Sequence, residues 1–273
     1  MRMRLGGYNY GAMGLRRALR PAIRTIRYVG LRPSDVLLAS YPKSGSTWLR
    51  FMLVELLTGR DPEWAFVTDT VPYVGEHRRM APTLPAGGRL LYTHDRATGR
   101  AGRAVYLVRD VRDVVLSEHR WIERGGTHLD LSGFVTDFVG GKSHLFGSWA
   151  DHVRYWLDSR IAKEGNLLVV TFEDLRAEPA ARLAEIARFV GLDPSDAEIE
   201  RAVDDNSLQR MQAKEGRAPS AVLRQHDTTE RFVGAGTVGG WRSKLTEDEV
   251  ATVERASHES LRRLGYPTPE PAP

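Results

Sequence analysis

A chain of 273 residues, 41% hydrophobic and 27% charged, can bury a full core within one domain. Its 39 Lys and Arg against 35 Asp and Glu give a formal charge of +4, which suits a partner bearing phosphate or sulfate and makes no case for nucleic acid. Cysteine is absent, so disulfides, thiolate nucleophiles and Cys-ligated metals are excluded. The N-terminus lacks the apolar run of a signal peptide, and no stretch is long and apolar enough to span a bilayer, so a cytoplasmic protein is expected.

Between Met1 and Ser34 every charged residue is an arginine, which reads as a basic N-terminal arm over residues 1–34. The main domain is expected over 35–266, followed by a proline-rich tail over 267–273. The domain opens on Val36-Leu37-Leu38-Ala39, turns through Ser40-Tyr41-Pro42-Lys43-Ser44-Gly45-Ser46-Thr47, and enters a helix with apolar residues at Trp48, Leu49, Met52, Leu53, Leu56 and Leu57. Residues 61–88 show no clear period. Further strands are expected at 89–93, 104–108 and 166–172, with helical faces at 111–121, 131–138, 149–157 and 183–190, the last stopped by Gly191. Ser195-x-x-Glu198 and Thr246-x-x-Glu249 are capping boxes that open two more helices, and residues 211–240 between them read as a long loop. Short apolar runs alternating with helices, and no tight hairpins, predict an α/β domain with a central parallel sheet flanked by helices.

In such sheets ligands bind beyond the carboxyl ends of the strands. Lys43, His94 and Arg109 each fall at such an end. A strand, tight turn and helix aim free amides and the positive end of the helix dipole at one point, a ready phosphate or sulfate site, with Lys43 adding a charge and Ser46 and Thr47 hydroxyl donors. His94 has an unperturbed pKa near neutrality and suits a base that removes a hydroxyl proton. Arg109 offers forked donors to a phosphate, and Ser117 lies two helical turns onward on nearly the same face; taken alone, an ion pair of Arg109 with Asp113 is the lesser alternative. The opening loop is not a Walker A motif, because Lys43 precedes its only glycine.

Ser40 to Trp48 resembles the phosphosulfate-binding loop of the cytosolic-type sulfotransferases, which take their sulfuryl group from PAPS (phosphoadenosine phosphosulfate) and release PAP. Val105 to Ser117 resembles a second family element, and Arg231 to Trp241 a third, so that the resemblance spans roughly residues 35–265. It implies a donor site made of Lys43, Ser44, Gly45, Ser46, Thr47 and Trp48, the last stacking on adenine. Arg109 and Ser117 are implied on the ribose phosphate, with Phe172 and Ser207 near the adenosine, and His94 as catalytic base assisted by Lys43. The family often carries a lysine two residues before the histidine, where this chain has Tyr92. In the third element Gly236, Gly239 and Trp241 keep the frame, but Gly234 and Ala235 stand where the family has Arg-Lys, leaving Arg231 or backbone amides to hold the phosphate.

The reaction implied is in-line sulfuryl transfer without a metal, to a hydroxyl of a small molecule, natural product or glycan, as in secondary metabolism. A P-loop kinase using ATP is the competing reading; it requires an acidic magnesium ligand after a strand, a place Asp110 occupies. The acceptor and the oligomeric state stay open, a homodimer being one expectation.

Overall fold

The structure, a computed structural model, describes residues 22–123, 128–218 and 232–268. Four strands, β1 (Val36–Ser40), β2 (Leu90–Thr93), β3 (Arg103–Val108) and β4 (Leu167–Thr171), form one parallel sheet in the order β2-β1-β3-β4. Ala39 stands level with Thr93 on one side and Tyr106 on the other, and Val108 with Thr171, so all four carboxyl ends lie along one edge. Around the sheet run α1 (Ser46–Thr58), α2 (Trp64–Thr70), α3 (Val111–Glu123), α4 (Leu131–Val139), α5 (Trp149–Leu157), α6 (Arg160–Lys163), α7 (Phe172–Ala177), α8 (Pro179–Val190), α9 (Asp196–Asp205), α10 (Leu208–Arg217) and α11 (Glu247–Arg263).

Strand side chains alternate between faces, and both faces are covered, which is why the strands are unbroken apolar runs. Val36, Leu38, Val105 and Leu107 pack with Leu49, Met52 and Leu53 of α1 and with Leu183, Ile186 and Val190 of α8. Leu37, Ala39, Tyr106 and Val108 pack on the opposite face with Val114, Phe134, Trp149, Trp156 and Val253. Both capping boxes form as the sequence predicts, opening α9 and α11, and Gly191 ends α8 in the left-handed conformation.

Three expectations change. Residues 211–240 are not one loop, because α10 occupies 208–217. Its buried residues are Met211, Lys214 and Glu215, a helical spacing that an apolar pattern cannot register because two of the three carry charge. Lys214 donates to Asn206 Oδ1 at 2.8 Å and pairs with Asp61, while Glu215 accepts the amides of Phe232 and Val233. Within the unpatterned stretch 61–88, α2 forms and buries Trp64 and Val67. Residue 172 is not the end of a strand; Thr171 caps the helix that Phe172 begins.

The described part of the basic arm is packed against the domain. Residues 22–27 are helical, Tyr28 and Leu31 are buried in the core, and the Tyr28 hydroxyl lies 2.8 Å from Thr93 Oγ1. The body therefore begins before residue 35. Residues 1–21 of the arm and 269–273 of the tail lie outside the described residues.

Candidate active site

Each strand delivers one of the anticipated residues at its carboxyl end: Lys43 after β1, His94 after β2, Arg109 after β3 and Phe172 after β4. With Gly45, Ser46, Thr47, Trp48, Ser117, Gly234 and Gly236 they line one cavity of about 920 Å³. Ser44 and Ser207 do not line it; Ser44 is wholly buried with its hydroxyl unpartnered among the described residues, and Ser207 is the residue before α10. Arg231 lies outside the described residues.

The anion cradle follows from the turn into α1. Gly45 is its N-cap at φ 91°, no side chain caps the first turn, and no acidic residue sits there, so the amides and the helix dipole are left facing the cavity. Lys43 sits at φ 67°, the left-handed region that non-glycine residues seldom occupy, a strain of about 1–3 kcal/mol that recurs at functional sites. Its ammonium lies 4.4 Å from the Trp121 ring centre and 4.9 Å from that of Phe232, two aromatic contacts the sequence did not reveal.

Gly45 is fixed by a neighbour as well as by its φ. A Cβ there would stand 2.5 Å from Cδ2 of Phe172, whose own ring carries the Arg109 guanidinium at 4.6 Å. Gly45→Ala is expected to cost about 1–3 kcal/mol and to push Phe172 away from Arg109; a lowered Tm checks this.

Trp48 is oriented from behind. Its Nε1 donates to Asn206 O at 2.8 Å, and the Asn206 amide in turn donates to Glu55 Oε2 at 2.8 Å, while Phe172 meets its ring edge-on at 6.3 Å. Arg109 is buried. It donates to Thr237 O at 2.8 Å and Lys43 O at 3.4 Å, and its Nε has no partner among the described residues. Burial pulls its pKa down, opposed by Asp113 and Glu173 and reinforced by Arg120. No ion pair joins Arg109 to Asp113. The Asp113 carboxylate instead accepts the amides of Gly239 at 2.7 Å and Trp241 at 3.1 Å, clamping the C-terminal glycine loop onto α3. Asp110 is likewise engaged, both of its oxygens bonding Arg112, and it does not line the cavity.

His94 donates Nδ1–H to Ser40 O at 2.7 Å, which leaves Nε2 as the basic nitrogen. Tyr92, in the place of the family's lysine, donates its hydroxyl to that Nε2. Burial pushes the imidazole pKa down to about 4, the Ser40 contact opposing the fall. The His94 carbonyl is held by His152 Nε2 at 3.1 Å, whose Nδ1 meets the Tyr106 hydroxyl at 2.9 Å.

A second titratable pair stands nearby. Glu118, one residue after Ser117, is buried with Oε1 3.0 Å from His144 Nε2, and His144 stacks on Phe146, which meets His94 at 5.4 Å. The sequence singled out neither; the signal was a carboxylate adjoining Ser117 on an otherwise apolar face. Burial pushes Glu118 up to about 8, with Lys43 pulling the other way. A carboxyl raised from 4.5 stabilises the fold below that pH and loses the contribution as pH climbs through 8. Glu118→Gln mimics the protonated form. Its Tm should match the wild type near pH 5 and exceed it at pH 8 and above, as followed by melts across that range.

The profile of the sulfotransferase domain matches residues 93–265, and the chain belongs to that family. Sulfotransferase 2A2 of Mus musculus is 26% identical over 280 residues, covering 96% of this chain and 94% of that protein. Cytosolic sulfotransferase 1 of Danio rerio is 27% identical over 237 residues, covering 79% and 78%. Among solved structures, a mouse sulfotransferase complexed with PAP superposes with a TM-score of 0.68 at 20% identity, covering 90% of each chain. Retinol dehydratase in complex with retinol and PAP superposes at 0.64 with 22% identity, covering 92% of this chain and 88% of that one.

Proposed function

We propose that this sulfotransferase takes PAPS as donor and moves its sulfuryl group to a hydroxyl of a small apolar-bodied acceptor, with His94 as base. The observation that carries the reading is the convergence of Lys43, His94, Arg109 and Phe172, from four adjacent strand ends, on one cavity. PAPS supplies a sulfuryl group and an adenosine bisphosphate leaving group. The residues present fit it: uncapped amides and Lys43 for the phosphosulfate, buried Arg109 with Ser117 for the ribose phosphate, and Trp48 with Phe172 for a flat base.

His94 Nε2 accepts the acceptor's proton as the hydroxyl oxygen bonds to sulfur and the bond from sulfur to the donor's phosphate oxygen breaks. For this the Tyr92 hydroxyl yields its place on Nε2 to the incoming hydroxyl. Lys43 and the first-turn amides of α1 meet the charge that develops on the departing phosphate oxygen, so positioning and electrostatics supply the catalysis.

The far wall is aromatic, with Tyr73, Trp64, Phe146, Trp121 and Phe232 facing the cavity. That lining favours an apolar natural product carrying a hydroxyl over a glycan, in keeping with the retinol and androsterone bound in fold relatives. No helix among the described residues is long and apolar enough to cross a membrane, and a cytoplasmic setting belongs to the proposal. The kinase alternative loses support because the Asp110 carboxylate is taken up by Arg112. Calorimetric titration with PAP beside ATP plus magnesium tests the donor directly. PAP binding with little response to ATP is expected, and preference for ATP would overturn the reading.

A further inference from the structure

The glycine loop over residues 234–236 bears no cation of its own, yet the wall facing it is cationic. Arg120 lies on α3 three residues after Ser117 and lines the same cavity. Its guanidinium lies beside Gly234: a Cβ at that position would stand 3.3 Å from Nη1, 3.8 Å from Cζ and 3.9 Å from Nη2. Arg176, on α7, lies near Gly236, where a Cβ would stand 3.5 Å from Phe172 Cζ and 3.9 Å from the Arg176 Nε. Arg120 and Arg176 are exposed, and neither makes a hydrogen bond or ion pair among the described residues. Some exposed arginines elsewhere on the described surface pair with an acid, Arg154 with Asp151, Arg160 with Glu164 and Arg217 with Glu63, whereas Arg120 and Arg176 face the cavity instead.

Asp113, a carboxylate that lines the same cavity, is spent on the Gly239 and Trp241 amides. The like charge of Arg120 also bears on the buried Arg109. Arg109, Arg120 and Arg176 all line this cavity, and an anion of more than one negative charge is drawn to such a group of cations.

From this arrangement we infer that Arg120, flanked by Arg176, is a binding residue for the donor's 3′-phosphate, doing from helix α3 what an Arg-Lys pair at positions 234 and 235 would do from the loop. A side chain at 234 would crowd the guanidinium, and the bare glycine leaves it its place. The inference rests on the PAPS reading above.

Calorimetry with PAP and with adenosine 5′-phosphate, which lacks the 3′-phosphate, separates the two. Wild type is expected to bind PAP well over adenosine 5′-phosphate. Arg120→Gln should weaken PAP tenfold or more and leave adenosine 5′-phosphate nearly unchanged, since the residue is exposed and its loss spares the fold, as a matching melting curve would verify. Adding Gly234→Arg to Arg120→Gln, in the space so vacated, should restore much of the PAP affinity. If wild type prefers PAP but Arg120→Gln binds both ligands as wild type does, or loses both equally, Arg120 does not hold the 3′-phosphate and the inference fails with the donor reading intact. If wild type binds no PAP, the donor reading itself has failed.

Discussion

Replacing His94 with Ala should lower kcat by about 10²- to 10⁴-fold while PAP binding stays at the wild-type level. The imidazole sits at the end of β2 with Nδ1 committed to Ser40 O, so its loss would remove the proposed proton acceptor and leave the amides of α1 and Arg109 untouched. Loss of PAP binding together with turnover would assign His94 to holding the strand end instead. The same residue sets the pH dependence. With the pKa pushed down from 6.5 to about 4 by burial, Nε2 remains unprotonated well into the acid range. The acid limb of kcat/KM is therefore expected near pH 4 to 5, and activity should be nearly level between about pH 6 and 8. Stability follows the same sign. The unfolded chain takes up its proton first, so the histidine's contribution is complete above 6.5 and is lost as pH falls towards 4.

Replacing Arg109 with Ala should weaken PAP by roughly 10²-fold, since charge-assisted bonds to a buried phosphate are worth about 1.5–3 kcal/mol each. Two effects add here. The phosphate loses forked donors, and the loop carbonyls of Lys43 and Thr237 lose the guanidinium that joins them. Arg109→Lys separates the two contributions. A lysine keeps the charge but cannot bridge two carbonyls and still present a planar fork, so it should recover only part of the affinity. Titration of both variants, with melting curves to report the loss of loop anchoring, reads the result; full recovery in the lysine variant would mean that charge alone matters at this position.

The sheet and the motif residues were legible because their physical demands are local. Val36 to Ala39 and Ala104 to Val108 had to be buried on both faces, and an unbroken apolar run expresses that without reference to the rest of the chain. The Lys43 to Thr47 turn, and the eight residues from Arg109 to Ser117, are likewise fixed by a single turn and two turns of helix. Helix α10 was missed because its hidden face is Lys214 and Glu215, whose partners Asn206, Asp61 and the amides at 232 and 233 are visible only once the chain is folded. Tyr28 falls within the expected basic arm for the same reason: its partner Thr93 lies 65 residues away.

By itself, then, the sequence determined the class of sheet, the anion cradle and the order in which Lys43, His94 and Arg109 arrive at strand ends, since each follows from short-range periodicity and backbone geometry. Only the tertiary structure decided which nitrogen of His94 is basic, that Trp121 and Phe232 flank the Lys43 ammonium, and that Arg120 stands beside Gly234. Those relations join residues dozens to more than a hundred positions apart, and no local pattern encodes a contact whose two halves meet only when the strands bring them to one edge.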